Sequence, residues 1–191
     1  MQHSGTVTLE TERLILRRFR PEDAQRVYDN WTSDAEVARY LTWEPHRSAA
    51  ETAALLDIWI ADYEKPETYN WVLERKADGM PVGNISVTHF AAETACAALG
   101  WCLSRSLWGQ GYMPEAAEAV LDYLFETVGM LRIEATHNIE NPKSGRVMQK
   151  IGMTKEGVLR QHGFARGVIV DEVWYSILAD EYRSGAYGKT Q

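Results

Sequence analysis

Residues 104 to 115, Ser-Arg-Ser-Leu-Trp-Gly-Gln-Gly-Tyr-Met-Pro-Glu, have the types and spacing to hold a bulky anion. Gly109 and Gly111 let the main chain approach such an anion closely, and Pro114 suits a first helical turn, where an absent N–H leaves nothing unpaired. An apolar run, Leu99 to Leu103, precedes this stretch, and an amphipathic pattern follows it. Strand, glycine loop and helix start then coincide. The free N–H groups and the positive end of the helix dipole make that junction a site for phosphate or pyrophosphate. The spacing excludes two nucleotide folds. There is no Gly-x-x-x-x-Gly-Lys-Ser/Thr run, and no third glycine followed about 20 residues on by an acidic residue.

The remaining chemistry-bearing residues point away from metals. His3, His46, His89 and His137 share no ligand spacing and have no cysteine partners, so no metal is expected. Cys96 and Cys102 make no disulfide framework, which fits a reduced, cytoplasmic protein. Asp171 shares a strand face with Ile169, Val173, Tyr175 and Ile177 and therefore needs a partner; Arg160 or His162 on the returning strand is expected to supply it, with Glu172 facing the other side.

The elements that must position these residues follow from the periodicity. Ala116, Ala117, Val120, Leu121, Leu124, Phe125 and Val128 form one apolar helix face, opposite Glu118, Asp122 and Glu126. Earlier helices are expected from Pro21 to about Asn30 and from Ser48 to about Tyr63, and a later one from Asn141 to a glycine cap at Gly152. Strands are expected at Leu9 to Phe19, Tyr69 to Arg75, Val82 to Phe90, Ala95 to Leu103, Leu131 to His137, Thr154 to Phe164 and Val168 to Leu178. The order is β-α-α-β-β-β-α-β-α-β-β.

A chain of 191 residues with 45% hydrophobic and 25% charged content holds one globular domain, expected over residues 9–182. Residues 1–8 are expected to be extended or disordered, and 183–191 to form a tail. The net charge of -7 argues against nucleic acid and leans toward a cationic second substrate. No signal peptide or membrane span is expected.

That element order resembles the GNAT superfamily of acyl-CoA-dependent N-acetyltransferases, and more narrowly the branch of ribosomal-protein N-terminal alanine and spermidine acetyltransferases. The resemblance rests on Thr11-Glu12-Arg13-Leu14, Trp108-Gly109-Gln110-Gly111-Tyr112 with Glu115-Ala116, Asn141-Pro142-Lys143-Ser144, Lys150-Ile151-Gly152-Met153, and Gly157 to His162 followed by Asp171. It implies a mixed α/β fold with a mostly antiparallel seven-stranded sheet, splayed between its fourth and fifth strands and flanked by helices.

The same resemblance implies the cosubstrate. The N–H groups of Gly109, Gln110, Gly111, Tyr112 and Met113 would hold the pyrophosphate of acetyl-CoA, and the pantetheine arm would pair with the backbone at Trp101, Cys102 and Leu103. Asn141 would bond the pantetheine and Ser144 would stand near the sulfur, with Tyr40 as its rival for protonating the thiolate. His162 or Glu44, working through water, is the expected base. Two positions depart from the family pattern: Ser106 stands where Arg or Gln is frequent, with Arg105 beside it, and Gly163 stands where some relatives carry glutamate. Trp31, Tyr40, Trp43 and Glu44 would face the acceptor as an aromatic and acidic wall. The acceptor is expected to be a protein or peptide N-terminal α-amine, with a small amine or an acyl-CoA-binding domain without turnover as alternatives. A homodimer is compatible with this reading.

Overall fold

The structure, a computed structural model, describes residues 2–185. Its centre is an eight-stranded sheet in the order β1-β2-β3-β4-β5-β6-β8-β7. The strands are β1 (Leu9–Glu10), β2 (Leu14–Arg17), β3 (Asn70–Arg75), β4 (Met80–Ala91), β5 (Cys96–Leu103), β6 (Arg132–Asn138), β7 (Thr154–Ala165) and β8 (Val168–Leu178). The count differs from the expected seven because Leu9 to Phe19 is not one strand. The chain turns at Thr11–Arg13, where Thr11 N–H donates to the Leu14 carbonyl and Thr11 Oγ1 accepts from Leu14 N–H, so Leu9 comes to face Leu16. Both halves of the alternating pattern are real, but a polar turn folds one back on the other.

All neighbouring strands are antiparallel except β5 and β6. Those two pair only from Cys96 opposite Arg132 to Leu99 opposite Ala135. Beyond that point Gly100–Leu103 stays on β4, while Thr136–Asn138 stays on β8, and the sheet splays open.

The helices are α1 (Ala24–Val27), α2 (Ala35–Ala38), α3 (Ala49–Asp62), α4 (Tyr112–Asp122), α5 (Pro142–Lys150) and α6 (Ala179–Ser184). Wider π-type turns extend α1 through Tyr28–Thr32 and α4 through Tyr123–Val128. Helix α4 buries the expected stripe: Ala116, Ala117, Val120, Leu121, Leu124, Phe125 and Val128 are all fully enclosed. They pack on Trp71, Leu73, Ile85, Ala97, Leu99, Ile133, Val173, Tyr175 and Ile177. A second core lies on the opposite face, where Val27, Trp31, Val37 and Leu56 meet Phe19 and Val72. Helices α4 and α5 cover one side of the sheet and α1 and α3 the other as far as β5, while the end of β7 and the start of β8 stay exposed on both faces.

Residues 2–8 carry no regular element yet are tied down. Gln2 N–H donates to the Val128 carbonyl, Thr6 Oγ1 to the Thr68 carbonyl, and Trp71 Nε1 to the Val7 carbonyl. At the other end α6 runs past the expected boundary at 182, and residues 186–191 lie outside the described part. No helix among the described residues is long and apolar enough to cross a membrane.

Candidate active site

The glycine loop between β5 and α4 is held open by its own geometry. Gly109 and Gly111 have φ of 79° and 84°, the left-handed region that favours glycine. The N–H groups of Gly109, Gly111, Tyr112 and Met113 find no acceptor among the described residues, and Gln110 N–H makes only a long 3.4 Å contact with the Leu107 carbonyl. These groups stand at the N-terminus of a helix of 11 residues, where aligned peptide dipoles favour an anion.

The loop is braced from behind. Glu115, in the first turn of α4, accepts from Thr11 Oγ1 at 2.6 Å, from Arg13 N–H at 2.8 Å and from Arg13 Nε at 2.6 Å. Burial would raise the Glu115 carboxyl, but these bonds outweigh it and hold it below the usual carboxylate range. Arg13 NH1 also donates to the Gln110 carbonyl at 3.0 Å, and its guanidinium lies 4.0 Å from the centre of the Tyr112 ring.

Beside the loop lies the open edge of β5. The Ala95 carbonyl accepts from Leu131 and Arg132 of the β6 side, and Ser104 N–H donates to Val82 of the β4 side. Main-chain direction alternates along a strand, so the N–H and C=O groups of Trp101 and Leu103 face the gap and those of Cys102 face β4. The Leu103 carbonyl is taken by Trp108 Nε1 at 2.8 Å, leaving its N–H and both groups of Trp101 toward the gap. Cys102 is thereby removed from the expected set: its backbone pairs with Asn84, and its thiol donates to Asn84 Oδ1 at 2.8 Å. Burial pushes that thiol up to about 12, so it is no nucleophile at neutral pH.

Across the gap, Asn141 occupies the N-cap position of α5 but its side chain makes no capping bond. Its amide is therefore available to a ligand, and half-buried Ser144 stands one turn on. Gly145 is needed here, because a Cβ on it would lie 2.6 Å from His137 Nε2. Lys143 spans the gap, with Nζ 4.2 Å from the centre of the Trp108 ring.

The sheet face opposite α4 is packed by α1 and α3 only as far as β5. Val173, Tyr175 and Ile177 of β8 point into the α4 layer, so Glu172, Trp174 and Ser176 point away from it. A cavity of about 660 Å³ runs along Val158, Leu159, Arg160, Gln161 and His162 at this end of β7. Glu44, in the α2–α3 connection, reaches the β7–β8 turn and pairs with Arg166 Nε at 2.8 Å.

An anion cradle, a splayed sheet and a second open face now stand together, and similarity to known proteins decides what they are. Residues 13–154 match the family model described as acetyltransferase (GNAT) domain. The chain belongs to the GNAT acetyltransferases. The uncharacterized N-acetyltransferase YoaA of Bacillus subtilis (strain 168) is 32% identical over 170 residues, covering 89% of this chain and 96% of that protein. The [Ribosomal protein uS5]-alanine N-acetyltransferase of Escherichia coli (strain K12) is 26% identical over 188 residues, covering 94% of each. A crystal structure of a GNAT-family acetyltransferase from Bacillus anthracis superposes with a TM-score of 0.80 at 29% identity, covering 92% of this chain and all of that one.

As an acetyl-CoA-dependent GNAT enzyme, the protein needs a diphosphate cradle and a hydrogen-bonding edge, and the residues present fit both. Several expectations for the acceptor side change. Trp31 is 1% exposed, packed between α1 and α3, so it is core and does not wall the acceptor site. Trp43 is half-buried against that core with its ring 5.7 Å from that of His46, and Tyr40 is half-buried beneath the Arg39 guanidinium. Arg105 does not turn to the cradle: it pairs with Asp34 at 2.9 Å.

The expected partner of Asp171 is also corrected. Asp171 Oδ1 accepts from Gln161 N–H at 2.8 Å, while His162 Nδ1 pairs with Glu172 Oε2 at 2.7 Å. The reason is a wide bulge: Leu159 faces Glu172 and Gly163 faces Val170, so three residues of β7 stand against Asp171 alone. Glu172 keeps the face expected of it, and the bulge turns His162 toward Glu172 and away from Asp171. The brace from Arg13 to Glu115 was equally invisible in local pattern, although both residues lie in motifs that carried the family resemblance.

Proposed function

We propose that this enzyme transfers the acetyl group to the α-amine at the N-terminus of a protein or peptide. The observation that carries the reading is the open cavity of about 660 Å³ along Val158–His162, which leaves space for a chain end beside β7. The E. coli relative that acetylates an alanine of a ribosomal protein is similar over nearly the whole chain and supports the same acceptor class.

The chemistry is within reach of the residues present. Acetyl-CoA supplies the thioester. The open N–H groups at Gly109 to Met113 hold its diphosphate, Trp101 and the Asn141 amide align its arm, and Leu103 N–H faces the gap where an oxyanion needs a donor. Ser144 is placed to donate to the departing sulfur. An α-amine ionises near 7.7 to 8.0, so a useful fraction is already neutral at physiological pH and a modest base suffices.

The test is a turnover screen. Release of free thiol from acetyl-CoA is followed with peptides beginning Ala or Ser, beside spermidine and free amino acids, and the acetylated atom is located by mass spectrometry. Peptide α-amines are expected to give the highest kcat/KM. A preference for spermidine overturns the reading, and so does coenzyme binding with no thiol released by any acceptor.

A further inference from the structure

We propose that Glu172 is a positioning residue that makes His162 the base of this enzyme. Four observations on the uncovered sheet face converge on this pair. Glu172 Oε2 lies 2.7 Å from His162 Nδ1. A carboxylate accepts only, so Nδ1 carries the hydrogen and, in the neutral ring, Nε2 is left with its lone pair. The His162 ring meets Trp174 edge-on at 5.5 Å, which fixes its plane. The same His162 lines the 660 Å³ cavity and keeps about half its side chain exposed, so the free nitrogen has somewhere to act.

Local backbone geometry maintains this arrangement. Gln161 has φ of 54°, and Asp171 Oδ1 holds its N–H, which fixes the bulge that swings His162 toward β8. Gly163 is the space into which Glu172 lies: a Cβ there would stand 2.7 Å from both Cγ and Oε1 of Glu172. Any larger residue at 163 would displace the carboxylate. On β8, Glu172 is directly opposite Asn138 of β6, the strand that borders the splayed gap. β8 fills the two strand spacings, roughly 10 Å, between β6 and β7, so a water over the β8 face relays between the gap and His162.

In the step assigned to the pair, the acceptor nitrogen forms the C–N bond and gives its proton, relayed by water, to His162 Nε2. The C–S bond breaks and the sulfur leaves with the electron pair as a thiolate. The thiolate takes a proton from solvent and the imidazolium returns one, so amine plus thioester becomes amide plus thiol. Glu172 keeps the ring in the tautomer that can accept and does not itself react.

The proposal rests on acetyl transfer and not on which amine is used, so the experiment takes whichever acceptor turns over fastest. Steady-state kinetics are measured for H162A, E172Q, E172D and G163A, with calorimetry of acetyl-CoA as the folding and binding control. Loss of a general base typically costs 10² or more. H162A is expected to lose about 100-fold in kcat and recover part of it with added imidazole. E172Q and G163A are expected to lose about tenfold, E172D less, all with KM for acetyl-CoA unchanged. Nitrogen-15 NMR should show His162 as the Nδ1–H tautomer in the wild type and a mixture in E172Q. Full kcat in E172Q with loss in H162A removes Glu172 from the role, and full kcat in both makes the pair a surface ion pair only. A variant that no longer binds acetyl-CoA is replaced by E172D, whose retained kcat beside a crippled H162A supports the proposal and whose kcat below that of H162A overturns it.

Discussion

Arg13 and Glu115, 102 positions apart in the chain, grip one another at 2.6 Å behind the coenzyme loop, and Arg13 also holds the Gln110 carbonyl. The hairpin turn at Thr11–Arg13 is thus a brace for the loop from Gly109 to Met113. It explains why a strand that looks continuous by its apolar pattern is broken there: the turn brings Thr11 Oγ1, Arg13 N–H and the guanidinium together around one carboxylate. The pair is partly exposed, with 37% of the Arg13 and 18% of the Glu115 side chain open to solvent, so it acts more on loop position than on global stability.

Replacing Glu115 with Gln should therefore separate binding from folding. The variant is expected to unfold within about 1 to 2 kcal/mol of the wild type, as loss of charge-assisted bonds at a partly open site implies. KM for acetyl-CoA is expected to rise several-fold while KM for the amine stays constant. Denaturant unfolding and two-substrate kinetics measure the two effects; an unchanged KM for acetyl-CoA would detach the brace from the cradle.

A different acid lends the sheet a pH dependence. Glu156 on β7 receives both guanidinium nitrogens of Arg132 on β6, at 2.8 and 2.7 Å, and the Ser176 hydroxyl of β8 between them. The Arg132 bonds, then the Ser176 bond, pull its carboxyl down from 4.5 to about 2. The folded value lies below the unfolded one, so the contribution is complete above about 4.5 and is lost as pH falls toward about 2. Its side chain is 42% exposed, so solvent screening limits the effect to about 1 kcal/mol. Urea midpoints at pH 7 and pH 3 should draw together in E156Q relative to the wild type; an equal fall in both proteins would show that the drop comes from other groups.

Sequence pattern carried much of the scaffold and little of the acceptor side, for a physical reason. The α4 stripe depends on periodicity and the loop before it on two glycines, which are local and were readable, whereas the splay between β5 and β6 followed only from the family resemblance. The bulge at Arg160–His162 was not readable, because a bulge shifts register by a count that side-chain alternation cannot reveal. It turned His162 toward Glu172, which keeps the expected face of β8. Trp31 failed for a related reason: an aromatic residue before the sheet can wall a site or fill a core, and only the packing of α1 on α3 shows that it fills the core. Cys102 was misplaced because a run of three backbone residues contains one that must face the other strand.

The salt bridge from Glu44 to Arg166 supplies the last prediction. Glu44 was one of two candidate bases, but its carboxylate is engaged by Arg166 Nε at 2.8 Å, joining the α2–α3 connection to the turn between β7 and β8. That oxygen is occupied by the guanidinium N–H, so chemistry is not expected to depend on it. The contact instead ties the α2–α3 connection to the β7–β8 turn, beside the proposed acceptor site. With 65% of the Glu44 side chain exposed, the pair adds little to stability. E44Q and R166A are both expected to keep kcat within about threefold and to melt within about a degree or two of the wild type, while KM for the acceptor rises by a similar factor in each. The double variant should be no worse than either single one, since both remove the same contact. A hundredfold fall in kcat for E44Q alone would return Glu44 to the chemistry and leave Arg166 as its partner.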